Sequence, residues 1–307
     1  MPGAPVQKEL WLDGEIVPWE SANVHVTDAV LFIHAVFEGI RGYWNPDQER
    51  LYIFRLDAHI KRLLNSMKLT RMVTPLTKDQ IIEGAVAICR RLAYREDVYV
   101  RPLGYFDTER FTGEMAAGPA HVMINTWPRP TFMTRTKGFN CCVSSWTRII
   151  DNVLPARVKC LSNYRNSALA SNEATTNGYD WAIMLNARGK VSDATGSGLM
   201  MVRDGVVIAP TITDDVLESI THETLIQLCQ DVLGIEAVRR EIDRTELYSA
   251  DELFLCGTGI EVAPVTNVDG FKVGNGEMGP LSLQIRQLYN NIVRGIDPRY
   301  DAWRTAV

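Results

Sequence analysis

Lysine is scarce in this chain, with eight residues against twenty-four arginines among 307. Other absences narrow the function classes. None of the six cysteines (Cys89, Cys141, Cys142, Cys160, Cys229, Cys256) stands in a C-x-x-C pair or at metal-ligand spacing, so no structural metal site is expected. Adjacent Cys141 and Cys142 would point to opposite faces of a strand and make poor disulfide partners. Free thiols in a reducing compartment are the expectation. No stretch reaches the roughly 18 apolar residues of a membrane span, and MPGAPVQKELWLDGEIVPWE carries no apolar core of signal-peptide length. A soluble, cytoplasmic protein with no membrane partner is expected. Excess positive charge is also missing, with a net charge of -5, and the densest basic cluster, Arg90-Arg91, falls inside a helical pattern. That argues against nucleic acid as a partner.

What remains is ordinary globular composition, 46% hydrophobic and 22% charged, long enough for two domains. Glu9 to Ile16 carries an Asp13-Gly14 turn between two short strands. Leu51 to Phe54 reads as a strand. Asp57 to Leu69 has helical spacing, with Ile60, Leu63, Leu64 and Met67 on one face. Thr77 caps a second helix striped by Ile81, Ile82, Ala85, Ile88 and Leu92. Strands are expected at Val98–Tyr105 and His121–Thr126, with a Gly-rich loop at Phe111–Pro119 between them. Trp127-Pro128-Arg129-Pro130 should interrupt any ladder, which suggests an N-terminal α/β domain over 1–126, a linker over 127–137 and a second domain over 138–307. In the second domain the pattern gives strands at Asn140–Ser145 and Ala156–Leu161, then a helix over Tyr164–Asn177. Hairpins follow from Trp181 to Ile208, turning at Arg188-Gly189 and Asp204-Gly205. A helix within Asp214–Leu233 and a strand over Leu253–Val265 complete it. The fold class is mixed α/β in two domains, the second rich in strands and hairpins.

Five local features bear on chemistry. Lys159 differs from the other lysines because it sits in the apolar run Val158-Lys159-Cys160-Leu161. Desolvation favours a neutral amine, which is nucleophilic and able to form a Schiff base with an aldehyde; a lysine snorkelling at a strand end is the plainer reading. Asp193 stands in the loop Val191-Ser192-Asp193-Ala194-Thr195-Gly196-Ser197-Gly198-Leu199, where small residues would let a flat ligand approach a carboxylate, or where it is a routine turn aspartate. Ser219-Ile220-Thr221-His222-Glu223 enters a helix; Thr221 can cap it, and free N–H groups there suit a phosphate. Cys256-Gly257-Thr258-Gly259 offers further small-residue donors, and Arg62 either presents a guanidinium to the same anion or faces water.

Together and in this order, these features resemble the class IV (fold-type IV) pyridoxal-phosphate aminotransferases, most closely their branched-chain amino acid members. The matching segments run from Trp11-Leu12-Asp13-Gly14 through VHV (Val24–Val26), VFEGIRGY (Val36–Tyr43), FRLDAHIKRL (Phe54–Leu63) and YVRPL (Tyr99–Leu103). They continue through SSW (Ser144–Trp146), KCLSNY (Lys159–Tyr164), VSDATGSG, ITHE (Ile220–Glu223) and ADELFLCGTGIEVAPV (Ala250–Val265). The resemblance implies pyridoxal 5'-phosphate as cofactor and Lys159 as its Schiff-base lysine and proton shuttle. It places Tyr164 beside the ring oxygen, Asp193 beside the ring nitrogen, and Arg62, Ile220, Thr221 and Thr258 at the phosphate. On the substrate side it places Phe37, Gly39, Arg41, Tyr99 and Arg101; Arg129 and Gly259 are further substrate-side candidates. It also implies a ping-pong exchange between an amino donor and a keto acid acceptor, and a homodimer or higher homo-oligomer, for which the apolar Leu31-Phe32-Ile33 would serve.

Several positions depart from the family pattern. Asp193 stands where Glu is usual and is one methylene shorter. The stretch Leu31-Phe32-Ile33-His34-Ala35 replaces a His-Tyr-Gly segment. Arg129, with Thr131 and Phe132, occupies a linker where branched-chain enzymes carry aromatic pocket residues; it either binds a second carboxylate or faces water. Ser197-Gly198 replaces a pair ending in Asn, and Ser219 and His222 replace Gly and Arg. An aminotransferase passing the amino group of a branched-chain L-amino acid to 2-oxoglutarate is the leading expectation. The alternatives are a class IV transaminase for D-amino acids or (R)-amines, against which Tyr99 and Arg101 argue, and an aminodeoxychorismate lyase-like enzyme. A non-catalytic binding protein is left little room by Lys159.

Overall fold

The computed structural model describes residues 8–26, 29–107 and 118–307. Most of the glycine-rich loop expected at Phe111–Pro119 therefore lies outside the described residues. The chain divides into two compact units. The first holds residues 1–130, 158–162 and 292–307; the second holds 131–157 and 163–291.

The first unit is built on one sheet. Its strands are β1 (Glu9–Leu12), β2 (Glu15–Pro18), β3 (Val36–Phe37), β4 (Ile40–Asn45), β5 (Arg50–Phe54), β6 (Met72–Val73), β7 (Val98–Phe106) and β8 (Gly118–Pro128). A last strand, Arg304–Ala306, pairs with β5 at the sheet edge. The path then runs β5-β4-β7-β8-β1-β2, with β3 on β7 and β6 on β8. The hairpin at Asp13-Gly14 forms as expected, both residues taking positive φ, as a tight two-residue turn requires. Two helices, α1 (Leu56–Leu69) and α2 (Lys78–Leu92), cover one face. Thr77 caps α2 in a reciprocal capping box with Gln80. The helical stripes meet the sheet through Ile60, Leu63, Met67, Ile81, Ala85 and Ile88, all buried against Val98, Val100, Val122 and Ile124.

One expectation fails along β8. β8 continues through Trp127 to Pro128, which pair with Tyr99 and Val98. Pro128 is tolerated because it is the last residue of the strand, where a missing N–H costs little.

The second unit has its own sheet: β9 (Phe139–Val143), β10 (Trp181–Leu185), β11 (Val191–Ala194), β12 (Gly198–Arg203), β13 (Val206–Ala209), β14 (Ala237–Arg239), β15 (Glu252–Gly257), β16 (Glu261–Val268) and β17 (Phe271–Lys272). The order is β11-β10-β9-β16-β15-β12-β13-β14, with β17 on β16. Its helices are α3 (Tyr164–Thr176), α4 (Ile220–Leu228), continued by a π-turn over Cys229–Leu233, and α5 (Pro280–Val293), whose last two residues belong to the first unit. The single strand expected over Leu253–Val265 is two, β15 and β16, broken at Thr258–Ile260. Asp204-Gly205 makes the expected hairpin turn between β12 and β13.

All six cysteines are free and buried, and burial pushes the Cys89 thiol up to about 12 and Cys142 to about 11. They are packing residues.

Candidate active site

Lys159 belongs to the first unit. Its segment is not the strand expected over Ala156–Leu161; only one isolated bridge, Val36 to Cys160, forms there. Three hydrogen bonds to its backbone nevertheless fix the segment. Phe37 N–H donates to the Lys159 carbonyl at 2.9 Å, Leu161 N–H to the Ala35 carbonyl at 2.9 Å, and the Lys159 N–H to Ser66 Oγ at 3.3 Å. The apolar pattern read as a strand is that of buried anchors: Val158 and Cys160 enter the core of the unit while Lys159 between them is half-buried. Its Nζ lies 4.7 Å from the centre of the Phe37 ring. Arg101 approaches the same ring at 5.3 Å.

Strand alternation supplies the surroundings. On β7 and β8 the even-numbered valines and isoleucine face the helices, so Tyr99, Arg101, Asn125 and Trp127 project from the opposite face. Tyr99 lies across from Trp127, ring centres 5.0 Å apart, and Arg129 stacks over Tyr99 at 5.0 Å. Gly39 makes this possible. A Cβ there would fall 1.8 Å from the Tyr99 hydroxyl, so only glycine leaves room for the ring. Arg41 is fully buried, its guanidinium 3.8 Å from Asp97 and donating to the Pro130 carbonyl at 3.3 Å.

Arg62, on α1, is gripped by Glu38. Its Nε donates to Oε1 at 2.7 Å and its Nη2 to Oε2 at 2.8 Å, while His59 Nδ1 shares Oε2 at 2.7 Å. Burial alone would push the Glu38 carboxyl up, but the Arg62 charge and the hydrogen bonds from Arg62 and His59 outweigh it and hold it down to about 2. Burial also lowers the His59 pKa, against the pull of Glu38, so the imidazole is a neutral donor at working pH. Sequence reading passed over Glu38 and His59. The signal was present, since Glu38 is an acid inside a run of buried residues and such a group needs a partner.

In the second unit, Asp193 sits in β11 and not in a loop; only Thr195–Ser197 turn before β12. It is buried, accepts from the Leu217 N–H at 2.9 Å and faces Arg148 at 3.6 Å. Arg148, missed in the sequence, is fixed in turn by Ser167 Oγ at 3.2 Å and the Asp215 carbonyl at 3.3 Å. Tyr164 opens α3. Ser219, not Thr221, caps α4 by accepting from the His222 N–H at 3.2 Å. Thr221 is the second helical residue, so the N–H groups of Ile220 and Thr221 stand at the helix start, where no intrahelical acceptor exists. Thr258 and Gly259 lie in the turn between β15 and β16. Beyond it Glu261, buried and at φ +61, accepts from Thr131 Oγ1 at 2.7 Å and the Phe132 N–H at 2.6 Å.

The departures at Gly198 and His222 are one structural event. A Cβ on Gly198 would lie 2.3 Å from His222 Nε2, so the imidazole occupies the space a side chain would need. The ring is fully buried and neither nitrogen has a hydrogen-bond partner. Burial, first, and the charge of Arg239 hold its pKa down to about 3. Among the described residues no cluster of metal ligands occurs, and no helix is long and apolar enough to cross a membrane.

Residues 35–268 match the family model for class IV amino-transferases, which defines the class of this fold. A probable branched-chain-amino-acid aminotransferase of Aquifex aeolicus is 39% identical over 97% of this chain and 96% of its own. The branched-chain-amino-acid aminotransferase of Pseudomonas aeruginosa is 35% identical over 97% of each. Among solved structures, the branched-chain amino acid aminotransferase of Thermobaculum terrenum in its PLP form superposes with a TM-score of 0.94 at 45% identity, covering 97% of this chain and 98% of that one. The branched-chain aminotransferase of the archaeon Thermoproteus uzoniensis, solved with norvaline, superposes with a TM-score of 0.91 at 37% identity over 99% of each chain. The chain belongs to the branched-chain amino acid aminotransferase family.

Proposed function

We propose that the protein is a pyridoxal 5'-phosphate-dependent transaminase moving an amino group from a branched-chain L-amino acid to 2-oxoglutarate. The observation that carries this is Lys159, an amine beside the Phe37 ring in a segment fixed by three hydrogen bonds, next to Arg101 on the same ring. The donor set fits the cofactor group by group. An aldehyde needs an amine, Lys159. A pyridinium nitrogen needs a buried carboxylate, Asp193, and a ring oxygen a phenol, Tyr164. A phosphate needs helix N–H groups and small donors, at Ile220, Thr221 and Thr258, and a fixed guanidinium, Arg62.

When bound, pyridoxal phosphate supplies an electron sink for the electrons left at the substrate α-carbon. The chain does the rest. Lys159 Nζ would hold the cofactor through its aldehyde and, once freed by the donor amine, would act as the general acid–base that moves the proton from and to the substrate α-carbon. Arg101 and Tyr99 orient the substrate carboxylate, and Gly39 gives Tyr99 its place. Phe37 presents an apolar wall and Gly259 backbone donors. Arg41, being fully buried, acts by holding Asp97 and the Pro130 turn. Exposed apolar residues in each unit, among them Val26 and Ile33 in the first and Trp146 and Val153 in the second, support a homodimer. We place the enzyme in the cytoplasm.

The test is a visible spectrum of the purified protein before and after L-leucine, with Lys159→Ala beside it. Loss of the cofactor band near roughly 410–430 nm and gain near about 330 nm, absent in the variant, is the expected result. A bound cofactor indifferent to L-leucine overturns the branched-chain assignment.

A further inference from the structure

The cofactor contacts proposed in the second unit stand on separate elements: Tyr164 opens α3, Asp193 lies in β11, and Ile220 and Thr221 begin α4. One buried guanidinium joins these elements. Arg148 faces Asp193 at 3.6 Å, and its Nη1 donates at 3.2 Å to Ser167 Oγ, one helical turn beyond Tyr164. Its Nε donates at 3.3 Å to the Asp215 carbonyl, in the segment that leads into α4. Two residues further on, the Leu217 N–H donates to Asp193 at 2.9 Å and ties that segment to the acid directly. Arg148 is itself held from the backbone side. Its N–H donates to the Leu185 carbonyl of β10 at 2.8 Å. Asn166 of α3 brackets it, accepting from the Ile149 N–H at 3.2 Å and donating to the Thr147 carbonyl at 3.0 Å.

Arg148 and Asp193 are both more than nine-tenths buried. A carboxylate taken out of water needs a countercharge, or it takes up a proton instead. A neutral acid no longer favours a proton on the ring nitrogen, and an unprotonated ring is the poorer electron sink. Aspartate adds a demand of its own. Its short side chain gives the carboxylate few places to go, so its approach to the nitrogen is set by what else holds it. We propose that Arg148 is a positioning residue that keeps Asp193 charged and aimed at the ring nitrogen, and locks it to the elements carrying Tyr164 and the phosphate donors. The inference rests on the reading of Asp193 as the ring-nitrogen partner and adds the residue through which that contact is held.

The experiment strips the holoenzyme and reloads it with pyridoxal phosphate or with its deaza analogue, in which C–H replaces the ring nitrogen. Both keep the aldehyde and the phosphate, so the ratio of their dissociation constants, read by quenching of tryptophan fluorescence, isolates the nitrogen contact. Wild type is expected to prefer pyridoxal phosphate. Arg148→Met should shrink that preference about tenfold or more, and Arg148→Lys should recover part of it. Asp193→Asn should match the Met variant, and the double variant should be no worse than either single. Retained binding of the analogue shows that a variant is folded. Arg148→Gln, which keeps an amide for Ser167 and drops the charge, carries the test where the Met variant does not fold. With L-leucine, kcat should fall while KM changes little. A preference undiminished in the Met or Gln variant overturns the proposal, as does equal weakening of both ligands or a double variant worse than its singles. A wild type without any preference sinks the Asp193 reading and the proposal together. Failure to react with L-leucine sinks only the transaminase reading, because the binding ratio needs no turnover.

Discussion

Glu38 and Arg62 form a two-point salt bridge, with both carboxylate oxygens engaged within 2.8 Å and the acid wholly buried. The pair joins the VFEGIRGY segment to helix α1, so a residue proposed for the phosphate is oriented by one that never needs to touch it. Glu38→Gln should keep the shape and lose the charge. Removing one partner of a buried pair costs about 3–5 kcal/mol. The variant should therefore melt lower and bind pyridoxal phosphate more weakly, with little change toward pyridoxal, which lacks the phosphate. Equal weakening toward both would show that Glu38 acts only on stability.

Lys159→Ala should retain the fold and lose transamination by about a hundredfold or more, since the residue is proposed both to hold the cofactor and to carry the proton. Added methylamine, a small replacement base, should restore part of the half-reaction. Undiminished turnover in the variant would remove Lys159 from the mechanism.

The buried His222 predicts a pH effect with a definite sign. Its folded pKa, about 3, lies below the ordinary 6.5. Between these values the unfolded chain takes up a proton that the folded chain refuses. Stability is thus full above about pH 6.5 and falls as pH drops toward 3, by up to about 1.4 kcal/mol per pH unit. Urea denaturation at neutral pH and about two units lower should show a smaller acid loss for His222→Leu than for wild type. Parallel losses would place the acid sensitivity elsewhere.

Gly198→Ala should destabilise by about 1–3 kcal/mol, because the new methyl meets the His222 ring. Combined with His222→Ala, most of that cost should vanish. Additive effects in the double variant would mean that the two positions do not share one space.

Gly39→Ala should displace the Tyr99 ring and raise KM for the amino donor about tenfold, leaving the cofactor band in place. Tyr99→Leu and Gly39→Ala/Tyr99→Leu should then behave alike, and a much worse double variant would show that Gly39 serves something other than the tyrosine.

Periodicity was informative wherever local chemistry decides structure. The stripes of α1 and α2, the Thr77 cap and the Asp13-Gly14 hairpin all rest on neighbours within a few residues, and all form. The family resemblance likewise named the fold. Distant partners decide the remainder. Val158 and Cys160 look like strand residues because both are buried, yet the pleat fails for want of a ladder beyond one bridge. Asp193 looks like a loop residue because small residues follow it, yet β10 pairs with its strand. Ser219 displaces Thr221 as the cap because either side chain satisfies the rule and only backbone geometry chooses. Glu38, His59 and Arg148 escaped because a buried charge is recognised by what it touches, and Arg148 and Asp193 are far apart in the sequence.

The first unit is not one continuous piece of chain. Its edge strand Arg304–Ala306 and the Arg294 that grips Asp97 come from the last residues, and the lysine segment from the middle. During synthesis the ribosome delivers residues 1–130 long before either arrives. The half-made sheet must wait, its β5 edge open and Asp97 without Arg294, until residues 292–307 have been made. A ribosome stalled before residue 292 would therefore hold a nascent chain whose first sheet is unclosed.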